Sequence, residues 1–229
     1  MKTKIVNIQL ALFFQENISR PDKVSTSINH EMNNLFDAMP FILPMPNDAP
    51  AEIPIVQMKS ELNKEYNCNI ARSRVDFYFN PEKEISDFED FEKEYDAHAT
   101  KFISAVFKSI KPIKISRLGF VVQYFVEDNN PTETIKRKLI SKELGSLRDL
   151  SIRFNQNNSV GNIKINDITN IQTGKVTKNN KESNGILVQR DFNNIVKKNM
   201  GLTISSLKTL LKKAYSYSTK KFIEEVVLN

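Results

Sequence analysis

Between Asp87 and Ile110 the residues Phe88, Phe91, Tyr95, Ala99, Phe102, Val106 and Ile110 recur three or four positions apart, with Glu, Lys and Asp between them. Such spacing gives a helix with one aromatic, apolar stripe, and a stripe that wide has to lie on a sheet or on another helix. A second stripe, Leu207, Leu211, Ala214, Ser218 and Phe222, predicts a closing helix from about Ser205 to Val227. These two helices set the architecture that the rest of the chain must supply.

What precedes and separates them reads as strands. Lys4 to Gln15 is apolar with a short alternation, and a helix capped by Ser25 is expected to run to about Met39, where Pro40 ends it. "EIPIVQMKSEL" and "NCNIARSRVDFYFN" read as two strands joined near "NKEYN", and Val75, Phe77 and Phe79 alternate with polar neighbours as a half-buried strand does. After "KPIK" the order starts again with the strand "ISRLGFVVQYFVE". A short basic helix from Thr132 follows, then strands at "DLSIRFN", "GNIKINDITNI" and "GILVQRDFNNI". The expected fold class is α+β, antiparallel sheet backed by two long amphipathic helices. It divides into halves 1–112 and 113–229 of the same strand-helix-strands-helix order, with negligible identity between them. That order resembles the duplicated plan of TATA-binding-protein-like and helix-grip folds, which fixes no function.

Five of the nine prolines fall between Pro40 and Pro54. Proline fixes φ and removes a donor, so this stretch is expected to be a stiff crossover outside any sheet interior, with Ile42, Leu43 and Met45 on the core. The alternative is an exposed docking arm for a partner.

Composition bounds the rest. At 229 residues and 40% hydrophobic the chain can bury a full core. The single cysteine, Cys68, excludes an internal disulfide and a multi-thiolate zinc site, and fits a reducing, cytoplasmic setting. The opening "MKTKIVNIQLALFF" imitates a signal peptide, yet Asn7 and Gln9 interrupt its apolar run and no small-x-small site follows, so a strand is expected. No apolar run approaches the ~20 residues of a membrane span. The net charge of +6 is concentrated late, in runs such as "IKRKLISK" and "LKKA". It suits an acidic partner or nucleic acid, though lysines outside any reading motif are more often a solvated surface.

Catalytic signatures mostly fail. "HEMNN" at His30 puts Asn34 where a zincin needs its second histidine, and His98, beside the apolar stripe, reads as packed or surface. The glycines are scattered singly, so neither dinucleotide nor P-loop phosphate cradle occurs, and no cofactor is expected. No G-x-S-x-G is present. One degenerate carboxylate pattern, Asp48, Glu52, Gln57 and Lys59, has the spacing of a divalent-metal nuclease, with carboxylates for the ion and lysine for the phosphate. Its bland reading is a strand surface.

The polar groups set within apolar strands are Arg72, Arg74 and Asp76, and Arg190 with Asp191. They belong on a solvated sheet face or in cross-strand pairs. If the halves adjoin, they approach one another on an open, concave face fit for a ligand or peptide. "RLGFVVQY", then "GILVQRDFN" and a terminal amphipathic helix, resemble a sporadically distributed group of uncharacterised bacterial proteins of comparable length. The likeness covers most of the chain after residue 50, brings no catalytic residues, and implies a mobile-element or phage-defence context. Two functions follow as expectations. The first is a non-enzymatic cytosolic interaction protein, an accessory subunit of a bacterial or phage-borne complex with a protein partner or a second copy. The alternative is a nucleic-acid-binding protein with Lys136, Arg137 and Lys138 on phosphates, or the nuclease above.

Overall fold

The computed structural model describes residues 2–46, 48–142, 144–178, 181–197 and 201–228. In chain order the elements are β1 (Thr3–Phe14), α1 (Pro21–Glu31), β2 (Phe41–Ile42), β3 (Val56–Lys59), β4 (Tyr66–Ile70), β5 (Arg74–Phe79) and α2 (Glu92–Ser109), then β6 (Ile115–Glu127), α3 (Pro131–Leu139), β7 (Ser151–Val160), β8 (Ile163–Lys178), β9 (Lys181–Asn194), α4 (Ile204–Tyr217) and α5 (Lys220–Ile223), closed by a π-helical turn, Glu224–Leu228. Among the described residues all strands join one antiparallel nine-stranded sheet in the order β2-β3-β4-β5-β1-β6-β9-β8-β7. The pair β1–β6 unites the two halves. Outward from it, one side runs β5, β4, β3 and the other β9, β8, β7.

The helices share one face of this sheet. Ile8, Leu10, Leu12, Phe77, Phe79, Phe120, Val122, Val188 and Phe192 are buried beneath them. The α2 stripe lands there as its spacing requires: Phe102 stacks on Phe77 at 5.0 Å and Tyr95 meets Phe120 at 5.9 Å. From α4, Tyr215 closes on Phe120 at 5.3 Å and on Phe88 at 5.1 Å. Rings from both halves thus form one continuous core, an arrangement in which each aromatic buries a large area and gains edge or stacking contacts besides.

Four local expectations change. The first helix starts at Pro21, whose fixed φ suits the first helical position, and ends at Glu31 rather than Met39. Asn33 and Asn34 follow with φ of 60° and 55°, left-handed values that stop a helix, and Ser25 is buried against the Asp22 carbonyl instead of capping. "NCNIARSRVDFYFN" is a hairpin, β4 and β5, turning at Ala71–Ser73 with Ala71 N donating to Arg74 O at 2.9 Å. The closing helix is broken at Ser218, beyond which Lys220 N donates to Asp87 Oδ1 at 2.9 Å. Lastly, the proline stretch does not press Ile42 onto the core: Phe41 and Ile42 are exposed and form a two-residue edge strand on β3. The prolines around it leave that edge short and poor in donors; Leu43 and Met45 are half-buried.

Candidate functional site: the uncovered face of the sheet

Side chains alternate across each strand, so the residues between the buried ones share the face opposite the helices. Register sets them in rows. Arg74, Phe13 and Arg117 stand directly opposite one another on β5, β1 and β6. Both guanidiniums lie over the Phe13 ring, at 5.4 Å for Arg74 and 5.1 Å for Arg117, a cation–π arrangement that holds two like charges on one aromatic. The next rows hold Asp76, Ala11, Gly119 and Asn193, then Tyr78, Gln9, Val121 and Asp191.

Asp76 is buried within this face. Its carboxylate accepts from Gln9 Nε2 at 2.9 Å and pairs with Arg74 Nε at 2.9 Å; Gln9 Nε2 also donates to Tyr78 Oη at 3.1 Å. Burial pushes the Asp76 carboxyl above its ordinary value, against the pull of Arg74 and of the Gln9 hydrogen bond. Further along, amides link the second-half strands. Asn155 Nδ2 donates to Asn166 Oδ1 at 3.0 Å, Asn166 Nδ2 to Asn193 Oδ1 at 3.0 Å, and Asn193 Nδ2 to Asp191 Oδ1 at 2.9 Å.

The polar residues singled out by sequence therefore separate. Arg74, Asp76 and Asp191 do occupy the open face, though β1 and β6 lie between the first two and the third, about 14 Å at the usual strand spacing. Arg72 sits in the β4–β5 turn and donates to the Ala49 carbonyl. Arg190, next to Asp191, points by alternation to the helix side, where it is buried against Asp167, Thr169 and Phe222. Lys136, Arg137 and Lys138 are on α3, among the helices and not on the open face; Lys136 faces Glu133 at 3.8 Å and Arg137 is exposed.

Of the nuclease pattern, Gln57 and Lys59 share the open face of β3, while Asp48 and Glu52 are exposed in the loop before it. Among the described residues no three His, Cys, Asp or Glu side chains converge as a metal centre requires. His30 is exposed, and His98 is half-buried at 4.7 Å from the Tyr66 ring, its pKa lowered by burial. Burial pushes the Cys68 thiol well up, which removes the thiolate a nucleophile needs. No described helix is long and apolar enough to cross a membrane.

Phe13 and Arg117 escaped the sequence reading. Phe13 looked like one more apolar residue of β1, and only the pairing of β1 with both β5 and β6 places it between two arginines.

No protein-family model and no curated protein matches the chain. Among solved structures, the aspartate kinase of Clostridium acetobutylicum aligns at a TM-score of 0.23 with 10% identity, covering 94% of this chain and 33% of that one. The chain thus spans about a third of that kinase's length. The fold defines the class: an α+β protein whose nine-stranded antiparallel sheet carries its helices on one face and a row of polar and aromatic side chains, in part buried, on the other.

Proposed function

We propose that the protein is a non-enzymatic interaction module, an accessory subunit of a larger complex, which engages its partner through the uncovered sheet face. The observation that carries this reading is the Arg74–Phe13–Arg117 stack, which lies at one end of the three central strands, joins the two halves, and is followed along the face by the Asp76 row and then by Gln9 and Tyr78. Guanidiniums already stacked on an aromatic are pre-ordered, so a partner loses little side-chain entropy in meeting them, and Arg and aromatic anchors dominate binding energy where they are desolvated. The mirrored strand order about β1–β6 supports a further part of the reading: the two halves are copies of one strand-helix-strands-helix unit, as in the duplicated TATA-binding-protein-like plan. The bacterial, phage-borne setting and the cytoplasmic location belong to the same proposal and rest on the resemblance in "RLGFVVQY" and "GILVQRDFN" and on the lone thiol.

The test is affinity capture from the native host, at low and high salt and with nuclease, using the wild type and an Arg117→Glu variant. A stoichiometric protein retained in high salt by the wild type and absent from the variant is expected. Nucleic acid that is lost at high salt moves the function to the nucleic-acid reading, with phosphate contacts through the basic helix at Lys136, Arg137 and Lys138 when the variant retains it and through the open face at Arg117 when the variant loses it. Identical capture by both proteins removes the sheet face from either.

A further inference from the structure

The two edges of the sheet are built differently. At one, β2 has two residues between prolines. At the other, β7 runs for ten residues, pairs only with β8 among the described strands, and keeps its register from Ser151 to Val160 without a bulge. It contains no proline and one charge, Arg153. An edge strand of that length, roughly 34 Å at 3.4 Å per residue, offers a row of free N–H and C=O groups. Proteins ordinarily blunt such edges with prolines, bulges, inward charges or very short strands. None of these protects β7, whose outer edge is complementary to another β-strand.

The amide ladder identifies which strand. It crosses the open face from Asp191 through Asn193 and Asn166 and ends at Asn155, on the outermost strand. Asn155 gives a hydrogen to Asn166, and beside it Gln156, Asn157 and Asn158 complete four consecutive amides. A carboxamide carries both donor and acceptor, so an amide-rich strand is complementary to itself. From this we infer that β7 is a homodimer interface. Two copies pair their β7 strands antiparallel across a two-fold axis perpendicular to the sheet, the isologous geometry of most dimers. With the axis near Asn155, residues of equal parity meet on the open face. Arg153 of one copy then lies beside Asn157 of the other and no like charges are opposed. The ladder continues from one sheet into the next, and the bare faces become one surface. The inference stands apart from whatever that face binds.

Light scattering after size exclusion, on the full chain over a roughly hundredfold range of concentration, is expected to give twice the chain mass of 26.4 kDa, falling towards one on dilution. The double variant Asn155→Lys with Asn157→Lys, both exposed positions, is expected to give the single-chain mass with an unchanged circular dichroism spectrum. A wild type of single-chain mass throughout, or a dimer that the folded double variant retains, overturns the inference. A second variant covers the case in which the lysines prevent folding. Asn155→Cys is expected to form a covalent dimer on mild oxidation much faster than Lys83→Cys, at another exposed position, Cys68 being buried; equal rates overturn it.

Discussion

Arg190 and Asp167 form an ion pair at 2.6 Å that is almost wholly removed from solvent, each side chain 3% exposed. Arg190 also donates to Thr169 Oγ1 at 2.5 Å, and the Phe222 ring lies 3.6 Å from the guanidinium carbon. Burial raises Asp167 and lowers Arg190, and their mutual attraction opposes both shifts. Asp167→Ala leaves a buried guanidinium without its counter-charge and is expected to cost about 3–5 kcal/mol in denaturant unfolding. Replacing both partners together, Asp167→Leu with Arg190→Met, is expected to cost far less, since neither buried charge is then orphaned. Equal losses in the two proteins would show that shape and not charge sets the stability here.

Tyr124 ties the ends of two helices to the centre of the sheet. Its hydroxyl donates to the Ser218 carbonyl at 2.6 Å, where α4 breaks, and accepts from Phe88 N at 3.1 Å, ahead of α2. Tyr124→Phe strands both groups in the core, and a loss of about 1–3 kcal/mol is expected. Tyr66 provides the contrast, because its buried hydroxyl has no hydrogen-bond partner among the described residues. Tyr66→Phe is expected to leave the unfolding midpoint unchanged or raise it.

The same residues explain what was legible in the sequence. Long elements with one unbroken period came through: β6 covers "ISRLGFVVQYFVE" residue for residue, and every member of the stripe from Phe88 to Ile110 is buried, although α2 itself is shorter than the stripe, Glu92–Ser109, and leaves Phe88, Phe91 and Ile110 just outside its ends. The breaks were harder, because they depend on distant partners. Nothing local in "SYSTKK" announces that the Tyr124 hydroxyl captures the Ser218 carbonyl. The β4–β5 turn did leave a trace: the buried positions change from even, Cys68 and Ile70, to odd, Val75, Phe77 and Phe79, a slip of one residue that a single strand does not make. For the candidate site, alternation alone suffices to put Arg190 and Asp191 on opposite faces. The Arg74–Phe13–Arg117 stack needed the register of three strands from both halves.

Asp76 gives the fold a pH dependence of definite sign. Its carboxyl is raised in the folded protein above the ordinary aspartate value of 3.8, chiefly by burial, so between that value and the raised one the folded state binds more protons than the unfolded. Stability therefore rises as pH falls through this window, and the increment is complete once the unfolded carboxyl is also protonated. Asp76→Asn keeps the shape and abolishes the titration. Denaturant midpoints measured from neutrality down to pH 4 should accordingly show a smaller acid-side gain, or a steeper acid-side loss, in the variant than in the wild type, whose other carboxylates supply the common background. Parallel profiles would mean that Asp76 titrates alike in both states.

Gly174 and Gly185 stand opposite each other in the β8–β9 ladder, and their substitutions should differ sharply. A Cβ on Gly185 would run into the Val126 carbonyl oxygen and, at 2.5 Å, into the Phe125 ring, which is itself fully buried. Backbone cannot yield there without disturbing the β6–β9 pairing that joins the second-half strands to the centre of the sheet. The nearest atoms to a Cβ on Gly174 all belong to the Leu187 side chain, with Cδ1 at 2.6 Å, and a half-buried leucine can turn to another rotamer for about 1 kcal/mol. Gly185→Ala is accordingly expected to destabilise by about 3 kcal/mol, at the upper end of overpacking costs, and Gly174→Ala by about 1 kcal/mol or less. Thermal unfolding of the two variants side by side measures the difference. Similar midpoints would mean that the sheet relaxes at Gly185 as easily as a side chain does at Gly174.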